Sequence, residues 1–245
     1  MIDTHAHLGV AEAGETLARA RAAGVSRVML VATSVAAAPD ALQIAHAEDG
    51  VAAILGIHPH ESGTATDADF DELRRLLADD KAVGVGETGL DWFRDYATPD
   101  DQRRVFAAQL DIAAETRKPV IIHTRAADDD TLAMLRPHPG DVILHCFSSP
   151  AMLPDAIERG WYVSFAGNVT YKNAYELRAA ARAVPAERIL AETDCPYLAP
   201  QAFRGQTNEP AYVMHTLAVL AEARGEDPAA LEAQIDANAT KVFGL

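Results

Sequence analysis

The chain has 245 residues, of which 49% are hydrophobic and 23% charged, and its formal net charge is -15. This composition is typical of a folded globular protein and excludes an intrinsically disordered chain. The acidic balance disfavours tight binding to duplex nucleic acid, because that affinity comes mainly from Lys and Arg side chains that neutralise phosphates. Phosphate chemistry stays open, since bound divalent metals can supply local positive charge.

Cysteine content and the N-terminal residues bear on the compartment. Cys146 and Cys195 are too few for a disulfide framework, so we expect reduced thiols in a cytoplasmic protein. Each cysteine directly follows a polar residue at the end of a predicted strand. Because successive side chains on a strand point to opposite faces, we expect both thiols to point into the layer beneath the helices rather than to bind metal. The first residues, MIDTHAHLGV, show neither a basic region nor a long apolar run, so we expect no signal peptide and no association with a membrane.

Short apolar runs recur along the chain, and each is followed by a segment of helical periodicity. This alternation predicts βαβ units with a parallel sheet. The predicted strands cover residues 1–4, 27–31, 51–57, 82–86, 119–122, 141–144, 161–165 and 188–192. Eight units in a chain of this length predict a single TIM-type (β/α)8 barrel that spans residues 1–245 as one domain.

Helix boundaries carry their own signals. Thr98 and Asp227 are each followed by proline, a pattern typical of an N-cap and the first helical position. A further helix is predicted to open at residues 149–150 and to end at Gly160, because glycine adopts the left-handed conformation that closes many helices. The residues expected on the inner face of that helix are Leu153, Ala156 and Ile157.

Ionisable side chains fall at the C-terminal ends of the predicted strands, which form the catalytic face of a TIM barrel. A lone histidine there is more often a core or loop residue than a ligand, but so many at one barrel mouth indicate metal binding. His5 and His7 share one side of an extended strand, where both can bind one ion. The full set is His5, His7, His58, His60, Glu87, His123, His145 and Asp194.

The mixture of imidazoles and carboxylates suits Zn, Mn, Fe or Co, and its carboxylates also admit Mg. Six of these side chains are candidate ligands, which exceeds what one tetrahedral catalytic ion needs. We therefore expect two divalent ions (Mg, Mn or Zn), about 3.5 to 4 Å apart, with a shared carboxylate. Glu87 lies near the middle of the ligand order and is the natural bridge. The six are His5, His7, Glu87, His123, His145 and Asp194.

At these positions the chain resembles the TatD-type metal-dependent deoxyribonucleases of the amidohydrolase superfamily. The resemblance covers nearly the whole chain and is carried by MIDTHAHL, GIHPH, VGVGETGLDW, QLDIAAETRKPVIIHTR, VILHCFSS, YVSFAG, ILAETDCPYLAP and RGQTNEP. It implies a phosphodiesterase that uses a two-metal-activated water and acts as an exonuclease on the 3' end of single-stranded DNA.

The resemblance also implies residue roles. One ion would be bound by His5, His7, Glu87 and Asp194, and the other by Glu87, His123 and His145. Glu87 and Asp194 would be catalytic, with Asp194 orienting or deprotonating the attacking water. Contacts to substrate are implied for His60, Arg125 and Arg204, and Glu192 would hold a further ion or a water. From the residues alone, a surface ion pair is an equally good interpretation of Arg125 and of Arg204.

Two positions depart from the family pattern, and both lie at the substrate rim. Phe203 stands where the family usually has histidine, and Ser149 stands where it has glycine. Nearby, Trp92 and Phe93 are placed either to stack on a base or to cover the rim. Two alternatives follow: a hydrolase of the same fold that acts on a lactone, amide or phosphotriester, and a catalytically silent metal-binding scaffold. Retention of Asp194 argues against the second.

Overall fold

The structure is a computed structural model that describes all of residues 1–245. Eight parallel strands pair in the order β1 to β8. The first and last lie side by side, since the amide of His7 donates to the carbonyl of Cys195 (2.8 Å) just beyond their ends. The predicted TIM-type barrel is confirmed. The strands are β1 (Ile2–Ala6), β2 (Arg27–Ala32), β3 (Val51–Leu55), β4 (Ala82–Asp91), β5 (Val120–Arg125), β6 (Val142–Leu144), β7 (Tyr162–Phe165) and β8 (Ile189–Ala191).

Nine helices surround the sheet, and none of them combines the length and apolarity needed to cross a bilayer. Thr98 and Asp227 cap helices as predicted, because each side chain accepts a hydrogen bond from an amide in the first turn. The helices are α1 (Val10–Ala22), α2 (Ala38–Ala47), α3 (Asp67–Leu76), α4 (Pro99–Thr116), α5 (Asp128–Leu135), α6 (Leu153–Arg159), α7 (Tyr175–Ala183), α8 (Val213–Arg224) and α9 (Pro228–Phe243).

Helix α6 departs from its predicted inner face. Gly160 ends it in the left-handed conformation, as expected, and Ala156 is fully buried. Ile157 is 41% exposed, so its placement on the inner face was wrong. It lies about 100° around the helix from Ala156, which is enough to turn it from the core to solvent.

Four strands run further than the sequence indicated: β1 ends at Ala6 rather than at residue 4, β2 ends at Ala32 rather than at residue 31, and β4 and β5 extend further still. β4 continues to Asp91 and β5 to Arg125, whereas the predicted strands end at residues 86 and 122. The two strands stay paired through this extension, with Gly89 opposite His123. Polar side chains at these positions look like loop residues in the sequence, but the ladder between the strands keeps them extended. Glu87 and His123 therefore lie within strands rather than after them.

The barrel divides into an apolar half and a polar half. Inward side chains from the N-terminal halves of the strands form a cluster that includes Met29, Ile54, Ile121 and Ile143, and Phe243 of α9 packs against it. A larger cluster of 56 buried residues lies between the strands and the helices. The C-terminal halves of the strands carry the buried polar residues. A packed floor therefore supports the polar mouth.

The close approach of β4 to β5 depends on Gly89. Its φ is 142°, a region that side chains disfavour, and a Cβ there would lie 1.9 Å from the carbonyl oxygen of His123. Because that atom belongs to the main chain, it cannot move aside without shifting β5. Gly89 therefore sets the distance between the two strands that carry Glu87 and His123.

We predict that Gly89→Ala destabilises the protein by more than the roughly 1–3 kcal/mol expected from backbone strain alone. Gly24→Ala is the matched control, because Gly24 also has a positive φ (97°), but a Cβ added there would meet no atom within 4 Å. Urea unfolding of the two variants measures the difference. Equal destabilisation would show that the contact with β5 does not matter.

Candidate metal centre

A single buried carboxylate, that of Glu87, lies at the centre of the polar mouth. Its side chain is 5% exposed. Oε1 lies 2.8 Å from both His123 Nδ1 and His145 Nε2 and 3.5 Å from His58 Nε2. Strands β3, β5 and β6 thus each bring an imidazole, from the strand or from just beyond it, to the same oxygen. This convergence follows from the parallel sheet, whose C-terminal strand ends all meet at one rim.

The second oxygen of Glu87 faces the first and last strands. Oε2 lies 3.5 Å from His5 Nε2 and 3.9 Å from His7 Nε2. The same two imidazole nitrogens lie 3.9 and 3.5 Å from Oδ1 of Asp194. Glu87 therefore stands between two groups of donors. All six sequence-predicted ligands are brought together here: His5, His7, Glu87, His123, His145 and Asp194.

Hydrogen bonds outside this centre determine which ring nitrogens can bind a cation. His7 Nδ1 lies 3.1 Å from the carbonyl oxygen of Val31, which can only accept, so Nδ1 carries the proton. His145 Nδ1 lies 3.1 Å from Oε1 of Glu192 and donates for the same reason. In the neutral rings both Nε2 lone pairs then point at carboxylate oxygens. Those lone pairs repel the oxygens unless a proton or a cation lies between them, so the donor set fits divalent metal.

The pKa shifts of His145 and Glu87 also fit a site that binds a cation. Burial acts to lower the pKa of His145, but the carboxylates of Glu87 and Glu192 outweigh it and hold the pKa well above its ordinary value. Burial likewise acts to raise the pKa of Glu87, yet the surrounding imidazoles, first that of His145, hold it well below its ordinary value. Each group therefore stabilises the charged form of the other, in which a proton lies between them. A cation can replace that proton.

Asp194 is the most open of the carboxylates at the centre, with 13% of its side chain exposed. Its backbone is in the left-handed region (φ 55°), which aspartate tolerates better than most residues. Its amide donates to the carbonyl of His5 (2.9 Å), which ties the end of β8 to β1. Backbone strain held in place by such contacts is common at functional sites.

A buried carboxylate beneath the centre supports this strand end. Asp3 accepts hydrogen bonds from the amide (2.8 Å) and the hydroxyl (2.6 Å) of Thr193, the residue before Asp194. Complete burial raises the pKa of Asp3 to about 8, against the lowering effect of these hydrogen bonds. Asp3 thus joins β1 to the segment that positions Asp194.

Glu192 is fully buried and lies behind His145, on the side away from Glu87. Its Oε1 accepts hydrogen bonds from His145 Nδ1 and from the amide of Cys146 (2.7 Å). Its Oε2 has no hydrogen-bond partner. The structure therefore gives Glu192 a contact that orients an imidazole, in a place closed to solvent.

The two cysteines differ in their surroundings. Cys195 is fully buried in the core between strands and helices, as predicted. The prediction for Cys146 was wrong: its thiol lies near the centre, where burial and the charge of Asp194 raise its pKa well above the ordinary value. β6 ends at Leu144, so strand alternation no longer applies at Cys146, and its left-handed backbone (φ 44°) redirects the side chain.

Two residues of the centre were not among the predicted ligands. His58 joins Glu87 and His123 in a group whose ligand atoms lie within 4.8 Å of one another. Asp91 is buried, and its Oδ2 lies 2.9 Å from His60 Nε2 and 3.2 Å from His123 Nε2. The spacing of residues 87 and 91 could have identified Asp91, because residues four apart on an extended strand share a face.

Asp91 is held from several directions. Its Oδ1 accepts hydrogen bonds from the amides of Phe93 (2.8 Å) and Arg94 (2.9 Å). The buried side-chain amide of Gln102, on α4, both donates to and accepts from the backbone of Asp91. Burial opposes ionisation, but the hydrogen bonds from His123 and His60 hold the pKa of Asp91 well below its ordinary value. Asp91 is therefore a fixed anion at the edge of the centre.

The predicted substrate contacts lie on the rim. His60 is partly exposed and pairs with Asp91. Arg125 lies over the ring of Phe93 (3.9 Å) and Arg204 over the ring of Tyr171 (4.3 Å). Neither arginine forms an ion pair, so the alternative interpretation as surface ion pairs was wrong for both. Each guanidinium therefore lies against an aromatic ring and has no carboxylate partner.

The remaining rim residues have clear structural contacts. Trp92 covers the rim, because its Nε1 donates to Asp130 (3.0 Å) and it is partly buried, whereas Phe93 is 59% exposed. Phe203 stacks on Tyr212 at 4.0 Å, so an aromatic pair occupies the place of the usual histidine. The hydroxyl of Ser149 donates to Asp128 (2.9 Å) and joins two mouth loops. Both departures from the family pattern therefore stabilise the rim.

Known proteins are similar to this chain in sequence and in architecture. The family model described as TatD related DNase matches residues 2–244. An uncharacterized metal-dependent hydrolase TatD of Mycobacterium tuberculosis is 39% identical, over 100% of this chain and 98% of that relative. A 3'-5' ssDNA/RNA exonuclease TatD of Klebsiella pneumoniae is also 39% identical, over 94% of this chain and 91% of the relative.

A solved structure agrees with these matches. The crystal structure of YJJV, a TatD homologue from Escherichia coli K12, has a TM-score of 0.94 at 29% identity and covers 100% of this chain and 98% of its own. The family match runs from β1 to the end of α9, so it includes every strand that contributes to the centre. The chain therefore belongs to the TatD-related DNase family and is a metal-dependent hydrolase.

Proposed function

We propose that this protein removes nucleotides from the 3' end of single-stranded DNA by hydrolysing phosphodiester bonds with two divalent metal ions. The observation that carries the proposal is the surface around the buried centre, where cations without carboxylate partners alternate with exposed aromatic rings. The names of the curated relatives as 3'-5' ssDNA/RNA exonucleases support the same reaction.

Exposed cations without a carboxylate partner lie at the mouth although the chain as a whole is acidic. Arginines on outer helices are mostly neutralised, as Arg74 is by Glu115 and Arg136 by Asp155. The cations that follow the strand ends form no ion pair, and all are exposed: Arg94, Arg125, Lys172 and Arg204. A phosphate backbone can therefore bind at the mouth without displacing a protein carboxylate.

Exposed aromatic rings stand beside these cations. Tyr197, 63% exposed, lies 6.2 Å from the ring of His7, and Tyr96, 64% exposed, lies 4.7 Å from the ring of His60. Aromatic side chains stack on unpaired bases without reading their identity, and each stacked base contributes about 1–3 kcal/mol. Base faces are hidden inside a duplex, so this surface favours single strands.

The ligand assignment follows the two groups of donors on either side of Glu87. One ion would be held by His5, His7, Glu87 and Asp194, and the other by Glu87, His123 and His145. Two bound divalent ions would lower the pKa of an attacking water and neutralise charge on the phosphoryl oxygens. His58 and Asp91 adjoin the second group and support it.

The protein's own side chains then have distinct tasks. Asp194 is the carboxylate with access to the mouth, and it would accept a proton from the attacking water. Glu192 would keep the proton of His145 on Nδ1, so that Nε2 faces the centre. His60, Arg125 and Arg204 would bind substrate phosphate. The alternative, a hydrolase of a lactone or amide, needs the same centre but neither the free cations nor the stacking surface.

We expect the purified protein to bind two divalent ions per chain, to lose activity in chelator and to recover it with Mn or Mg. Glu192→Gln should weaken metal binding by about 10- to 100-fold, because the amide keeps the shape but holds the tautomer of His145 less firmly. Isothermal titration with Mn measures both the number of ions and their affinity. Glu15→Gln, at an exposed position whose side chain forms no hydrogen bond or ion pair, is the control. No bound ion and chelator-resistant activity would refute the metal assignment.

Asp194→Asn should lower kcat by about 10²- to 10⁴-fold at saturating metal, because an amide cannot accept the proton of the water. The free energy of unfolding should change little, since the side chain is partly exposed. Asp95→Asn, in an exposed mouth loop, should leave kcat unchanged. Initial rates and urea unfolding of the same preparations separate the two effects. Wild-type turnover in Asp194→Asn would exclude Asp194 as the base.

Cleavage of short single-stranded DNA should exceed that of blunt duplex, with a shallow dependence on salt. We expect kcat/KM to fall by about 0.7 to 2 log units per log unit of salt, or about 0.7 for each of one to three neutralised phosphates. Arg204→Ala should raise KM for oligonucleotides, whereas Arg75→Ala, on the outer face of α3, should not. Turnover of a lactone or amide without cleavage of any nucleic acid would reject the nuclease and retain the hydrolase.

A further inference from the structure

A groove of about 550 Å³ lies between α7 and α8, outside the metal centre. Its walls include Tyr175, Arg178 and Arg182 from α7 and Glu222 from α8, and Thr170 borders it at one end. Thr170 belongs to the short 3-10 turn Gly167–Thr170, which follows β7 at the mouth of the barrel. The groove therefore begins where the mouth ends.

The two arginines of the groove have no carboxylate partner. Arg178 donates to the carbonyl oxygens of Val169 (3.0 Å) and Tyr171 (2.8 Å), and Arg182 donates through Nε to that of Ala223 (2.8 Å). Carbonyls orient a guanidinium without cancelling its charge. The two residues are four apart on one helix, where like charges repel. In a chain of net charge -15, this uncompensated pair favours an anionic ligand.

An aromatic ring stands beside these charges. Tyr175 is 72% exposed, more than any other large hydrophobic or aromatic side chain, and Arg178 lies 5.1 Å from its ring centroid. An exposed ring next to uncompensated guanidiniums is the combination with which proteins hold single-stranded nucleic acid, since the ring stacks on a base while the cations bind phosphates.

The groove and the mouth are joined by one loop. Arg178 holds the carbonyls of residues 169 and 171 and so anchors the segment that carries Tyr171, over which Arg204 lies. The amide of Gln201 donates to the hydroxyl of Thr170 (2.7 Å), which ties the loop after β8 to the same segment. Cations therefore continue from the mouth into the groove.

We propose that the groove between α7 and α8 binds the part of a single strand that lies 5' to the nucleotide being removed. Tyr175 stacks on a base of that part, and Arg178 and Arg182 bind its phosphates. Glu222, on the opposite wall, limits affinity by repelling phosphate. This assignment rests on the proposed exonuclease function, and it makes the protein selective for strands long enough to reach the groove.

The test compares single-stranded DNA from a dinucleotide to a hexadecamer. Tyr175→Ala and Arg182→Ala should each raise KM for the hexadecamer about tenfold, as expected for the loss of one stacked base or one phosphate contact, and leave the dinucleotide unchanged. Arg182→Lys should retain most of the affinity, and Glu222→Gln should increase it. Arg75→Ala is the matched control. Fluorescence anisotropy can measure the affinity of each variant for a labelled hexadecamer in chelator, where no cleavage occurs. The variants should rank by this affinity in the same order as by KM.

The outcomes separate this proposal from the proposed function. Cleavage with a KM that does not depend on length, or variants that affect dinucleotide and hexadecamer equally, would overturn the groove assignment and leave the exonuclease standing. Absence of any cleavage would reject the exonuclease, and anisotropy would then decide whether the groove still binds a single strand. Equal loss of duplex and single-strand affinity in Tyr175→Ala would overturn the stacking role. Unfolding curves identify any variant whose fold is altered.

Discussion

The burial of one carboxylate among five imidazoles is the constraint on which this structure depends. Glu87 lies inside the barrel, where an unpaired charge costs far more free energy than at the surface. Imidazoles approach both of its oxygens, from strands on either side of β4. The carboxylate oxygens of Glu87 and the surrounding imidazole nitrogens are stable at these distances only when protons or cations lie between them. A buried centre of this kind has no structural advantage over an apolar core, and its chemistry accounts for its presence.

The surroundings of the centre keep its ligand atoms in place. The carbonyl of Val31 and the carboxylate of Glu192 hold protons on the outer nitrogens of His7 and His145. Asp91 restrains His123 from the other side, and Gln102 restrains Asp91. Side chains held by such outer hydrogen bonds do not have to reorganise when a metal binds, which increases affinity and geometric precision.

The contrast between the centre and its rim explains how an acidic protein can process phosphodiesters. Most arginines on the outer helices are neutralised by neighbouring carboxylates, so they contribute little to the field at a distance. Several cations without a carboxylate partner lie around the mouth and along α7, namely Arg94, Arg125, Lys172, Arg204, Arg178 and Arg182. Under the proposed function few phosphates would be contacted, so recognition of a strand would rely more on stacking and on the metal centre than on general electrostatic attraction.

The sequence by itself determined the barrel and the set of polar residues at its mouth, because strand periodicity is local and parallel strands place their C-terminal ends together. It also located the six candidate ligands along the chain. Only the tertiary structure decided which atoms meet: β4 and β5 extend past their polar residues through mutual pairing, Cys146 turns toward the centre, and Asp91 joins it. The same holds for the groove, whose walls come from two helices packed side by side. Such contacts depend on side-chain direction across separate elements, which no local pattern encodes.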